Sequence, residues 1–175
     1  NFSGSNIIDY ATSFDRSDFL DIYLISKCEF MISSESGINE LAVLFRKPRL
    51  VVDHYYCGAY EKYASRVIVL PKKFKNLNTE NIISFDEAYE KKLNHVYTPS
   101  DVRELGYEVL DNSKYEIKEA TESIFSLINN DLNFNEILQN QKNFWQNLEK
   151  NHKYKKNNKV IICPNFYLNN IDLFE

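Results

Sequence analysis

The stretch from Arg16 to Asp53 constrains this chain most, because it reads as helix, strand, small-residue turn, helix and strand with no gap between them. Glu29-Phe30-Met31-Ile32-Ser33 is a short apolar run of the kind that makes a buried parallel strand. It ends in Ser33-Ser34-Glu35-Ser36-Gly37, where hydroxyls and a glycine replace apolar side chains as the chain turns. From Ile38 the apolar residues fall at helical spacing, through Leu41, Ala42, Leu44 and Phe45, until Lys47-Pro48 stops the helix. Arg49 to Val52 is the next strand, and Asp53-His54 lie at its carboxyl end. Ligands of open α/β sheets bind outside those carboxyl ends, so the Ser-rich turn and Asp53-His54 are expected to line one crevice.

The rest of the chain continues the alternation of helix and strand. Ile7 to Ala11 reads as a short strand, and Ser17 or Asp18 caps a helix from about Phe19 to Ser26 whose buried stripe is Phe19, Leu20, Tyr23 and Leu24. Tyr55 to Tyr60 reads as a loop leading into a short helix through Glu61, Lys62 and Ala64, and Val67 to Leu70 is a third buried strand before Pro71. Lys72 to Asn81 reads as a polar connection. Ser84 with Glu87 is a capping-box pattern opening a helix that ends near Leu93, and Pro99 to Leu105 is a short helix closed by Gly106. Tyr107 to Leu110 is a fourth strand. Ser113 caps a longer helix with Ile117, Ala120, Ile124, Leu127 and Ile128 on its core face, and a further helix runs from Phe134 to Lys150, with Trp145 packing it back. Lys153 to Lys159 reads as a solvated basic tract, and Val160 to Cys163 is apolar before Pro164. Residues 1–128 are expected to form an α/β domain with a mainly parallel sheet, and residues 129–175 a helical extension packed on it or on a domain preceding Asn1.

Composition narrows the function. The chain is 43% apolar and 26% charged, a globular balance, and four glycines and four prolines leave little room for the turns of an all-β protein. A net charge of −4 gives no general attraction to nucleic acid or an anionic membrane. Cys28, Cys57 and Cys163 are odd in number and widely spaced, which fits a reducing cytosol better than a disulfide framework. No apolar run approaches the ~20 residues of a membrane span. His95 and His152 lack partners at metal-ligand spacing, so no metal is expected. There is no Gly-x-Gly-x-x-Gly, no Walker lysine motif and no Gly-x-Ser-x-Gly.

The turn from Ser33 to Gly37 is the strongest candidate for chemistry. Amides at a helix N-terminus point outward and favour negative charge, Ser33, Ser34 and Ser36 add hydroxyls, and Gly37 lets a phosphate approach the backbone. Ser36 serves equally well as a plain N-cap. Glu35 opposes a phosphate unless it points away or takes sugar hydroxyls. Glu40, in the first turn of the same helix, suits ribose hydroxyls or simply compensates the helix dipole. Asp53 lines the crevice, and His54 is the candidate acid, base or phosphate donor, against the plainer reading of a packing residue.

Arg-Ser-Asp-Phe-Leu-Asp-Ile-Tyr-Leu from Arg16, Ser-Ser-Glu-Ser-Gly-Ile-Asn-Glu-Leu-Ala from Ser33 and Phe-Arg-Lys-Pro from Phe45 resemble the donor-binding half of GT-B-fold glycosyltransferases. The likeness is to a bacterial group found among surface-polysaccharide genes, and the segment Gly106 to Ser113 shares it. The resemblance implies a Rossmann-like three-layer domain, one half of a GT-B fold, holding a nucleotide-sugar as its substrate and needing no cofactor. Its diphosphate would meet Ser34, Ser36 and Gly37, its ribose Glu40. It also implies a glycan or lipid-linked acceptor, a cytoplasmic location peripheral to the inner face of a bacterial membrane, and a missing N-terminal acceptor domain supplying the catalytic base. By that reading this chain alone is inactive. Nucleotide-sugar 2-epimerases have a similar phosphate turn, a Ser-Gly with a Glu shortly after it before a Lys-Pro and a strand, as Ser36-Gly37 and Glu40 stand here, and a non-catalytic nucleotide-binding module is the alternative from another class.

Overall fold

The computed structural model describes residues 6–12, 14, 16–34, 36–55, 66–96, 98–152 and 160–174. Six strands are described: β1 (Met31–Ser33), β2 (Arg49–His54), β3 (Val67–Pro71), β4 (Lys73–Asn76), β5 (Tyr107–Leu110) and β6 (Val160–Ile162). Four of them form a parallel sheet in the order β1-β2-β3-β6, and β4 and β5 form a separate antiparallel pair. All five residues of β3 are buried, and because successive side chains point to opposite faces, both faces of this strand are covered. The molecule is thus an α/β protein with a mainly parallel sheet.

Among the described residues eight α-helices surround the strands: α1 (Asp18–Lys27), α2 (Asn39–Leu44), α3 (Phe85–Glu90), α4 (Pro99–Glu104), α5 (Lys114–Ile128), α6 (Phe134–Asn140), α7 (Lys142–His152) and α8 (Pro164–Asn169). Their starts follow local chemistry. Ser17 Oγ accepts from the Leu20 amide, Ser84 Oγ from Glu87 and Thr98 Oγ1 from Asp101. At α5 the reciprocal capping box is complete, with the Ser113 amide donating to Glu116 Oε2 at 2.7 Å. Ala120, Ile124 and Leu127 then bury one face of α5 against β2 and β3. Gly106, at φ 86°, is a left-handed residue after α4, where a side chain would be strained.

The structure departs from the expected strand arrangement at five places. Glu29 to Ser33 shortens to β1, and β1 is an edge strand of the described sheet rather than an internal one. Tyr107 to Leu110 is a strand, but it leaves the parallel sheet to pair with β4, a strand inside the stretch expected to be a polar connection. The alternation of Lys73, Phe74 and Lys75, with only Phe74 buried, is the period-two pattern of a half-buried strand. Val160 to Ile162 is the fourth parallel strand, so the segment after residue 128 contributes to the main sheet as well as supplying α6, α7 and α8. Ile7 to Ala11 is not a strand, and Tyr10–Thr12 form a single 3-10 turn.

Helix α1 is also placed differently from expectation. Its apolar residues run round the helix, and only Ile25 is buried, while Phe19, Ile22, Tyr23 and Leu24 are exposed. The expected helix from Phe134 to Lys150 is broken into α6 and α7 at Gln141. The predicted loop and helix from Tyr56 to Ala64 and the basic tract Lys153 to Lys159 lie outside the described residues.

Two apolar clusters hold the fold. The larger joins β2, β3 and β6 to α5, α7 and α8, with Leu50, Ile68, Ile124, Leu148, Ile161 and Phe166 among its buried members. The smaller, of Phe74, Ile83, Ala88, Leu93, Val102 and Tyr107, lies under the β4–β5 pair.

Candidate functional site

Strand β1 delivers the chain to the serine turn. Ser34, Ser36, Gly37 and Glu40 are exposed there, while Ser33 is half-buried and its Oγ has no hydrogen-bond partner among the described residues. The turn is pinned from below by Asn39, itself 7% exposed, whose Nδ2 donates to the Ser34 carbonyl at 2.7 Å. The buried Arg49 guanidinium in turn donates to the Asn39 carbonyl at 3.4 Å.

The amides of the turn divide into two sets. Those of Asn39 and Glu40 fold back onto the carbonyls of Ser36 and Gly37 at 3.0 and 3.2 Å. Those of Ser36, Gly37 and Ile38 donate to no described residue. Helix α2 starts at Asn39 with Ile38 as its uncapped boundary residue, so Ser36 is not the N-cap. Gly37 has ordinary backbone geometry, and a Cβ built on it would meet nothing within 4 Å. The Cβ position of Gly37 is therefore open, next to three successive amides that have no acceptor among the described residues.

The end of β2 is different from the expected open wall. Ser33 pairs with Val51, which carries Asp53 alongside the turn, but the register slips between Val51 and His54 and Asp53 takes a left-handed φ of 52°. Asn112 fixes this bulge: its Oδ1 accepts from the Asp53 amide at 2.7 Å, its own amide donates to Asp53 Oδ1 at 2.8 Å, and its Nδ2 donates to the Pro71 carbonyl at 2.9 Å. His54 is 3% exposed, and its carbonyl accepts from the Lys72 amide at 2.8 Å. Glu35 lies outside the described residues.

With β1 at the sheet edge, a crevice between two flanking strands is not what the described residues form. The turn has a strand neighbour, β2, on one side only. The polar residues gathered beyond β2 and β3 are Asp53, Lys72, Asp111 and Asn112, where Lys72 Nζ lies 2.6 Å from Asp111 and 5.2 Å from the Tyr55 ring centroid. Sequence reading passed over Lys72, Asp111 and Asn112 because their partners are 39 to 59 residues distant.

Among the described residues, a cleft of about 180 Å³ beside Asp86, Phe144 and Phe174 and another of about 430 Å³ beside Arg66, Asp131 and Phe134 lie elsewhere on the surface. Neither is lined by the turn. Among the described residues no group of three or more His, Cys, Asp or Glu could hold a metal ion, and no helix is long and apolar enough to cross a membrane. Burial raises the thiol pKa of both Cys28 and Cys163, which disfavours the reactive thiolate at each. Compared with known proteins, the chain matches no protein-family model, no curated protein and no solved structure.

Proposed function

We propose that this chain is the donor-binding, Rossmann-like half of a GT-B-type glycosyltransferase of the surface-polysaccharide kind, holding a nucleotide-sugar by its diphosphate. The observation that carries the reading is the run of free amides at Ser36, Gly37 and Ile38 with open space beside Gly37. Backbone N–H groups left without an acceptor bind phosphate oxygens without a metal, and the hydroxyls of the exposed Ser34 and Ser36 would add donors. Glu40, exposed one turn further on, would accept from ribose hydroxyls. In a transfer reaction these donors would stabilise the charge that grows on the departing nucleoside diphosphate. A second domain would bind the acceptor, glycan or lipid-linked, and supply the catalytic base.

Burial of His54 favours a second reading, a nucleotide-binding module without chemistry of its own, since a ring 3% exposed is poorly placed to meet a substrate. Calorimetry separates the two from an unrelated function. Titration with nucleoside diphosphates and nucleotide-sugars, with and without EDTA, is expected to give metal-independent binding. The wild type's failure to bind any of them would overturn both readings. Transfer by the protein with its partner domain would then decide for the enzyme.

A further inference from the structure

Helix α1 leaves one face uncovered, and that face has a definite chemical order. Phe19, Tyr23 and Lys27 lie four residues apart, so they form one ridge along the helix. Phe19 is 72% and Tyr23 45% exposed, with Ile22 and Leu24 exposed on either side. The two rings stack at 5.9 Å, and Lys27 Nζ lies 5.8 Å from the Tyr23 ring centroid. Lys27 has no carboxylate partner among the described residues. With 3.6 residues per turn, Asp18 and Asp21 fall away from this ridge.

The order aromatic, aromatic, cation is self-complementary about a twofold axis through Tyr23. In an antiparallel pair, Phe19 of one copy meets Lys27 of the other and Tyr23 meets its own counterpart, so each ammonium gains an aromatic face. A parallel pair would set Lys27 against Lys27. We propose that α1 is a docking surface for a second copy of this chain, packed ridge to ridge and antiparallel.

The register makes the test specific, because the same substitution at two positions of one ridge has opposite outcomes. Sedimentation equilibrium of the full chain over a micromolar to millimolar series is expected to show a monomer–dimer equilibrium. Tyr23→Glu sets two carboxylates against each other at the axis and gives a monomer throughout the series. Phe19→Glu sets a carboxylate against Lys27 of the second copy, so the dimer is retained and dissociates as salt is added. Circular dichroism of both variants should match the wild type, since the positions are exposed. A wild type that stays monomeric overturns the proposal. Equal loss of the dimer in Phe19→Glu and Tyr23→Glu, or its persistence in Tyr23→Glu, overturns it as well.

Discussion

The side-chain amide of Gln141 pairs with both backbone groups of Ile162, donating from Nε2 to the carbonyl and accepting from the amide at Oε1, each at 2.9 Å. Strand β6 is the far edge of the sheet, and Gln141 stands where a neighbouring strand would supply these bonds. Gln141 is 1% exposed, which explains why the helix expected from Phe134 to Lys150 breaks there into α6 and α7.

Gln141→Leu should therefore leave a buried amide and a buried carbonyl unpaired. Each such group costs roughly 1–3 kcal/mol, so a total loss of about 2–6 kcal/mol is expected from urea denaturation. Loss of less than about 1 kcal/mol would mean that water or another group replaces the side chain.

The fold was legible in the sequence wherever the signal was local. Ser17, Ser84 and Ser113 cap the helices their spacing announced, and Val67 to Leu70 is a buried parallel strand as its four apolar residues imply. Pairing over long separations was not legible. Nothing near Tyr107 says that it joins Asn76 rather than the parallel sheet, and nothing near Val160 says that it pairs with Val67. At the site, the exposed Ser34–Gly37 turn was readable from residue types. The Asp53–Asn112 clamp was not, because the two residues lie 59 apart and the bulge that joins them has no composition of its own.

Phe174 closes the described chain onto the core, with its ring centroid 4.8 Å from those of Phe85 and Tyr167 and 4.9 Å from that of Phe144. Phe174→Ala should cost about 3–5 kcal/mol by leaving a cavity among these rings. The single tryptophan, Trp145, lies 5.2 Å from Phe144 and reports the change. Thermal unfolding followed by its fluorescence should show the midpoint fall.

Lys73 Nζ lies 2.9 Å from Glu116 Oε1, with both side chains mostly buried. Burial alone would raise the Glu116 carboxyl, but the Lys73 ammonium and the amide and hydroxyl of Ser113 outweigh it and hold the group below its ordinary value. A carboxyl depressed by folding stabilises the fold above its unfolded pKa, and that stability is lost as pH falls through the folded value. Glu116→Gln should thus lower stability at neutral pH and flatten its decline on the acid side below about pH 4.3, read by denaturation at a series of pH values. An acid limb as steep as that of the wild type would show that other carboxylates set it.

His54 is the residue whose burial and proposed chemistry pull apart. From its 3% exposure, His54→Ala is expected to lower stability by about 1–3 kcal/mol and to leave nucleotide affinity unchanged. Calorimetry and urea denaturation on the same sample separate the two effects. A loss of affinity with stability intact would return His54 to the ligand.

The most direct measurement is nucleoside diphosphate binding by the wild type and by Gly37→Val. Because a Cβ at Gly37 meets nothing and its backbone is not left-handed, valine there should fold as the wild type does and obstruct only what approaches the amides of Ser36, Gly37 and Ile38. The account predicts metal-independent binding by the wild type and at least about a tenfold loss in Gly37→Val, the effect of forfeiting one or more charge-assisted hydrogen bonds. Undiminished binding by Gly37→Val would contradict it, and so would a folded wild type that binds no nucleoside diphosphate.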